Sequence, residues 1–175
     1  MSPEALQMYN TLLALLSLAA IAGAVGLTAF RIVKGPEAAT LFDGGGLWLA
    51  WLVALVATAG SLIYSEVVHF IPCRLCWFQR IAMYPLSVIL LIGAIRKEVV
   101  ARFYALPLAL IGLIISVYHY LVQLFPSLEG GACDPANPCS ARYVETFGFI
   151  SIPLMAGAAF IVIAALLAFY VSESK

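Results

Sequence analysis

The sequence has 175 residues, of which 64% are hydrophobic and only 10% are charged, whereas a soluble domain carries roughly 25% charged residues. Nine basic residues balance nine acidic ones, so the chain has no overall attraction for nucleic acid. These values exclude an ordinary soluble domain and give no support to a nucleic-acid-binding function.

Five long apolar runs follow one another along the chain. Each is close to or above the length of about 20 residues that a helix needs to cross the hydrocarbon core of a membrane. Four runs contain no charged residue and the third is interrupted only by Arg80; they cover residues 5–30, 44–65, 77–95, 103–128 and 146–172. The first run is longer than the apolar part of a signal peptide, about 7–15 residues, so we expect it to be retained. The sequence predicts an all-α membrane protein with five spans.

The basic residues predict the orientation of these spans, because Lys and Arg concentrate in cytoplasmic loops. If the loop after the first span is inside, the N-terminus is outside and six of the nine basic residues are cytoplasmic: Arg31, Lys34, Arg96, Lys97, Arg102 and Lys175. All four cysteines then lie on the outer side of a cell membrane. An oxidising compartment there permits disulfide bonds.

The stretch "IPCRLCWFQR" places two cysteines, Cys73 and Cys76, at the outer end of the third span. Pro72 suits the start of a helix, so we expect Cys73 at or near the N-cap, where the helix dipole favours a thiolate. Arg80 shares a helix face with Cys76 and lies roughly 6 Å deeper. A charge at that depth indicates a functional site. Its expected partner is the Cys76 thiolate, a carbonyl oxygen of a bound electron acceptor, or lipid headgroups reached by snorkelling.

The second cysteine pair, Cys133 and Cys139, lies in the stretch "CDPANPC" of the second outer loop. Two prolines and an asparagine predict a tight turn, which can bring the two Cα atoms within the range of about 4.4–6.8 Å that a disulfide needs. Because the loop is short and exposed, we expect this bond to be accessible to a soluble thiol protein. A structural staple is the alternative, although a bridge across five residues constrains the unfolded chain little.

A histidine, His119, lies roughly 10 Å inside the outer end of the fourth span, near the depth expected for Arg80. The matched depth suggests one polar pocket that holds both side chains. The alternative is an interfacial histidine among the neighbouring tyrosines of "SVYHYLVQLFP". Glu66 and His69 are possible proton carriers, although such interfacial residues are more often only solvated, and Tyr84 either packs on a bound ring or belongs to the core.

Taken together, these residues resemble the DsbB/BdbC family of quinone-dependent disulfide-forming membrane proteins. The stretch "CRLCWFQR" matches the C-x-x-C-x-x-x-R signature, "YHYLVQLFPS" matches the segment before the second outer loop, and "CSARYVETFGFISIP" matches the run into the final span. The resemblance covers residues 45–171 and implies a four-helix transmembrane bundle. Residues 1–44 then form an additional N-terminal transmembrane helix and a cytoplasmic loop. The second cysteine pair is closer together than in the best-known members.

The resemblance implies that all four cysteines are catalytic and that no metal takes part. A reduced DsbA-like thioredoxin-fold partner outside the membrane would attack the second pair, with Cys133 forming the mixed disulfide and Cys139 passing electrons to the first pair. Cys76 would then reduce a quinone held beside Arg80 and His119.

Redox energetics also favours a quinone from the membrane pool. Partners of this kind have potentials near −120 mV, so glutathione, at about −200 mV, cannot re-oxidise them. The acceptor must have a higher potential, and ubiquinone or menaquinone suits a pocket between spans. The sequence contains neither a Rossmann glycine fingerprint nor a haem-attachment motif that would indicate another cofactor.

Three alternatives remain open at this point. A relative of vitamin K epoxide reductase would carry its loop pair before the C-x-x-C motif, the reverse of the order here. A structural zinc site would use all four cysteines, although an oxidising compartment and the positive charge of Arg74 disfavour it. A small transporter or channel would need more charged residues within the spans than this sequence has.

Overall fold

A computed structural model describes residues 1–35, 42, 45–131 and 133–171 of the chain. The predicted orientation rests partly on the loop between the first two spans and partly on Lys175. Most of that loop lies outside these residues, and so does Lys175. Within the described part the regular structure is helical, and the loops contain two isolated β-bridges, Asp134 with Asn137 and Thr146 with Ile150.

Five helices are long and apolar enough to cross a membrane, which confirms the predicted number of spans. They are α1 (Pro3–Lys34), α2 (Gly46–Leu62), α3 (Arg74–Arg96), α4 (Ala101–Leu124) and α5 (Ile152–Phe169). One π-helical turn, Ile63–Val67, continues α2, and a short 3-10 helix, Pro126–Glu129, follows α4.

The last uncharged run starts at residue 146, whereas the last helix begins at Ile152. Thr146 and Ile150 exchange two backbone hydrogen bonds of 2.9 Å. The turn between them has positive φ at Phe147 and Gly148, a conformation that cannot continue a right-handed helix. The run is apolar throughout, so its composition alone does not separate this turn from the helix that follows.

Helices α2, α3, α4 and α5 form a four-helix bundle in which α2 contacts α5 and closes the ring, and α1 packs outside it against α5. The bundle core contains fully buried side chains from α3 and α5, among them Leu86, Leu90, Phe160, Ile163 and Leu167. Helix α1 contributes little to the core, since its buried residues are Ala14, Ser17 and Ala24. This architecture confirms the predicted bundle with an additional N-terminal helix.

Both cysteine pairs lie at one end of the bundle, where α2 and α4 end and α3 and α5 begin. We call this the cysteine end. The chain between α2 and α3 reaches it through His69, which has a positive φ of 64°. The 3-10 helix and the loop up to α5 complete this end. Its residues therefore come from the connection between α2 and α3 and from the connection between α4 and α5.

Gly112→Ala should destabilise the bundle, because a Cβ at this position would overlap the ring of Phe160 and overpacking a core costs typically about 1–3 kcal/mol. Gly157→Ala on the facing helix is the matched control, since its added Cβ would lie 3.4 Å from Cβ of Ser116. Thermal unfolding of the purified protein in detergent measures both. Equal midpoints for the two variants would contradict the close packing of α4 on α5.

Candidate active site

The first cysteine pair forms the start of α3. Cys73 is the N-cap with extended backbone (φ −70°, ψ 172°), and its Sγ accepts the backbone N–H of Cys76 at 3.3 Å. The predicted cap position is therefore confirmed. The two Sγ atoms lie 2.8 Å apart and both cysteines are free. Loss of two electrons and two protons would join these neighbouring sulfurs in a disulfide.

The surroundings of Cys73 favour its thiolate. The hydrogen bond from the Cys76 thiol is the largest influence and lowers the pKa of Cys73 below the ordinary value for a thiol. His119, with Nε2 3.6 Å from Cys73 Sγ, lowers it further through a hydrogen bond and its charge. Burial opposes these effects, since Cys73 is only 3% exposed. Cys73 is therefore the member of the pair that carries negative charge most readily.

His119 links the two cysteine pairs. Its Nε2 lies 3.1 Å from the carbonyl oxygen of Cys139 as well as close to the Cys73 sulfur. A carbonyl oxygen can only accept, so Nε2 carries the proton of this contact. The ring is 1% exposed and its Nδ1 is buried without a hydrogen-bond partner. The alternative of an interfacial histidine is therefore wrong.

The predicted single pocket with Arg80 and His119 is also wrong, because the two side chains line different cavities. His119 lines a small cavity of about 10 Å³ together with Cys73 and Cys76. Arg80 lines a large cavity of about 330 Å³, and Cys76 lines that one too. Depth counted along a helix does not give the direction of the side chain around its axis. Cys76 thus lies between the two cavities.

The second pair, Cys133 and Cys139, forms a disulfide bond with Cα atoms 5.9 Å apart, which confirms the predicted turn geometry. The loop is exposed at residues 134–136, as expected, but the two cysteines themselves are only 7% and 1% exposed. The loop folds back onto the cysteine end, where Asn137 Nδ2 donates to the carbonyl of Pro72 at 3.2 Å. Cys133 and Cys139 both pack with Cys73 in one cluster of buried side chains.

Sequence reasoning missed Glu129, whose carboxylate lies beside the second pair. One oxygen accepts the backbone N–H of Cys139 at 2.7 Å and the other accepts the hydroxyl of Ser140 at 2.8 Å. A carboxylate oxygen lies within 4.8 Å of the sulfurs of both Cys133 and Cys139. In the sequence Glu129 is a single acidic residue before a glycine pair, a pattern with no specific meaning.

The large cavity lies between α1, α2, α3 and α5 and is mostly apolar. Its polar lining near the cysteine end includes Gln79, Arg80 and Tyr84. Arg80 donates from Nε to the Ser61 hydroxyl at 3.0 Å and from a terminal nitrogen to the Ser61 carbonyl at 3.1 Å, and its guanidinium lies 5.2 Å from the centre of the Trp77 ring. Neither partner was predicted. Because Ser61 is uncharged, it does not neutralise the positive charge that Arg80 places beside the cavity.

Three aromatic rings cover the cavity at the cysteine end. Phe70 stacks on Tyr143 at 4.9 Å and on Tyr64 at 5.8 Å between ring centres, and all three side chains line the cavity. The Tyr143 hydroxyl donates to Asn137 Oδ1 at 3.3 Å. The cover therefore connects the end of α2 with the loop of the second cysteine pair.

The remaining candidates lie away from the cavities. Glu66 and His69 are exposed at the end of α2 and line neither cavity. One group of described residues could hold a metal ion, because the ligand atoms of Cys73, Cys76 and His119 lie within 4.8 Å of one another. The sulfurs of the second pair are bonded to each other, which weighs against a zinc site built from all four cysteines.

Comparisons with known proteins show the family of this chain. The family described as disulfide bond formation protein DsbB matches residues 45–170. A probable disulfide formation protein of Oceanobacillus iheyensis is 51% identical over 119 residues, 67% of this chain and 82% of the relative. Disulfide bond formation protein C of Bacillus subtilis is 49% identical over 118 residues, 67% of this chain and 86% of the relative.

A probable disulfide formation protein C 2 of Bacillus anthracis is 46% identical over 127 residues, 73% of this chain and 89% of the relative. No solved structure matches the chain. The family match decides against a vitamin K epoxide reductase relative and against a small transporter. The chain belongs to the DsbB family of membrane proteins for disulfide bond formation.

Proposed function

We propose that this protein re-oxidises a reduced, DsbA-like thioredoxin-fold dithiol protein on the outer side of the cell membrane and passes the two electrons to membrane quinone. The observation that carries the proposal is the position of Cys76. It lies between a small cavity next to the second cysteine pair and a large, mostly apolar cavity lined by Arg80. The net reaction converts one dithiol and one quinone into one disulfide and one quinol.

Electrons enter at the second pair. Cys133 is the more exposed of its two residues, so a partner thiolate attacks its Sγ, forms a mixed disulfide and releases Cys139 as a thiolate. The Glu129 carboxylate beside both sulfurs disfavours negative charge on Cys139. The released thiolate is therefore driven to attack an oxidised Cys73–Cys76 pair.

Within the first pair, attack on Cys73 breaks its bond to Cys76 and leaves the electron pair on the Cys76 sulfur. Cys73 packs in the same buried cluster as Cys139, whereas Cys76 lines the large cavity. The second thiol of the partner then resolves the mixed disulfide with Cys133. The Cys133 thiolate released in this way attacks Cys139, re-forms the second disulfide and frees Cys73, and the reduced Cys73–Cys76 pair gives two electrons and two protons to the quinone. Each exchange is a thiolate attack on a disulfide sulfur, so no electron leaves the chain before Cys76.

The large cavity fits a quinone in size and chemistry. Its volume of about 330 Å³ lies within the range of roughly 300–1,000 Å³ typical of ligand pockets. A bound quinone would supply a two-electron acceptor whose carbonyl oxygens gain negative charge on reduction. Arg80 would hold such an oxygen and stabilise that charge, and the Tyr84 hydroxyl, 3.3 Å from the Ser61 hydroxyl, would offer a further hydrogen bond.

Cys76→Ser should abolish quinone reduction, because it removes the sulfur that faces the large cavity. The purified protein is mixed with a reduced dithiol partner and a short-chain quinone, and quinone absorbance is followed against partner oxidation. Ser87→Ala, on the same helix, is the control, since that hydroxyl donates only to the carbonyl of Tyr84. Unchanged turnover in Cys76→Ser would exclude Cys76 as the electron donor.

Cys139→Ala should accumulate a mixed disulfide between the protein and its partner, whereas Cys133→Ala should not form one. The first variant keeps the more exposed thiol and lacks the Cys139 thiol that would resolve the adduct. The test mixes each variant with a single-cysteine partner whose thiol is activated as a mixed disulfide with a small aromatic thiol, which the Cys133 thiolate displaces. Non-reducing gel electrophoresis measures the adduct. Equal trapping in both variants would show that the roles within the pair are wrongly assigned.

The rate of alkylation of Cys73 should have its inflection below the ordinary thiol pKa of about 8.5, because a lowered pKa keeps the thiolate present at lower pH. A Cys76→Ser background leaves Cys73 as the single free thiol and retains a hydroxyl donor beside it. His119→Phe in this background should move the inflection upward. Tyr118→Phe, whose hydroxyl donates to the carbonyl of Leu128, should not move it, and identical profiles for both variants would contradict the role of His119.

A further inference from the structure

Helix α1 precedes the part of the chain that the family matches, residues 45–170, so the comparisons assign it no role. It is nevertheless attached to the bundle at specific points. At the cysteine end the Tyr9 hydroxyl donates to the carbonyl of Gly60 at 3.2 Å, and the Tyr64 hydroxyl donates to Asn10 Oδ1 at 2.8 Å. At the opposite end the Tyr170 hydroxyl donates to a backbone carbonyl of α1 at 2.6 Å.

One face of α1 forms a wall of the large cavity. The four residues of this face follow helical spacing: Leu13, Leu16, Ser17 and Ala20. The Ser17 hydroxyl donates to a carbonyl of its own helix at 2.7 Å, so its single donor is used and the other three residues of the face are apolar. Since α1 packs outside the four-helix ring, this face separates the cavity from lipid.

The cavity is longer than the quinone ring that the proposed function places beside Arg80. Its lining on α2 runs from Leu52 to Ser61, a distance of roughly 14 Å along the helix axis. The half away from the cysteines is lined by apolar residues of four helices, among them Ala20 of α1, Val53 of α2, Met83 of α3 and Phe160 of α5. A ring held at Arg80 leaves this half for an apolar chain attached to it.

We propose that the Leu13–Ala20 face of α1 binds the isoprenoid chain of the quinone and so favours acceptors with long chains over acceptors that consist of the ring alone. The proposal rests on the proposed function, because it extends the same cavity. The polar contacts of Tyr9, Asn10 and Tyr64 hold α1 in the position that this binding needs.

Ala20→Phe should raise the apparent KM for a quinone with several isoprene units about tenfold, the loss expected when two methylene groups of the chain are no longer buried. It should leave the KM for a quinone without a chain unchanged. Ala19→Phe is the matched control, because Ala19 is exposed and lines no wall of the cavity. An equal rise for both quinones, or no rise for either, would overturn the role of α1.

A second variant avoids added bulk. Leu16→Ala shortens the wall and should raise the KM for the long-chain quinone, whereas Leu15→Ala, on the other side of the helix, should not. Disulfide exchange with the reduced partner in the absence of quinone verifies that each variant is folded. Arg80→Met should raise the KM for both quinones. If it changes neither, the proposed site is wrong; if only Arg80→Met has an effect, the site stands and the inference about α1 fails.

Discussion

The hydrogen bond from the backbone N–H of Cys76 to the sulfur of Cys73 is the contact on which the rest of the site depends. The first N–H groups of a helix have no partner within it, and near a membrane an unsatisfied group is costly. The Cys73 sulfur satisfies one of them at 3.3 Å. In doing so it holds the two sulfurs together, with Cys73 towards the loop of the second pair and Cys76 towards the large cavity.

The burial of three of the four cysteines fits the order of the proposed pathway. Cys139 and His119 are almost completely shielded from solvent, so in the proposed reaction the partner enters at Cys133. His119 lies between Cys139 and Cys73 and contacts both. Electrons would therefore have a short internal route between the pairs, with Cys73 buried and the half-buried Cys76 lining the large cavity.

The charge of Arg80 is compatible with an apolar environment because two of its five N–H donors are hydrogen-bonded without neutralising it. The hydroxyl and carbonyl of Ser61 accept from two of its nitrogens, and the ring of Trp77 lies 5.2 Å from the guanidinium. A carboxylate partner would have cancelled the positive potential. The arrangement leaves that potential beside the cavity, where an electron-rich oxygen can use it, and α1 completes the wall on the lipid side.

The sequence by itself determined the features that depend on residues close to one another along the chain. Long uncharged runs are sufficient for five spans, because a membrane helix satisfies its own backbone hydrogen bonds. The cap position of Cys73 follows from the residues around it, and the turn that closes the bond between Cys133 and Cys139 spans only the residues between them. The family resemblance also rested on such local stretches.

Only the tertiary structure decided which distant side chains meet. It brought His119 to Cys73, Ser61 to Arg80 and Glu129 to the second pair, and it buried the two cysteines of a loop that is otherwise exposed at residues 134–136. The start of α5 belongs with these features, since an apolar turn and an apolar helix have the same composition. The physical reason is that depth along a span can be counted from the sequence, whereas rotation about the helix axis is set by packing against the other helices.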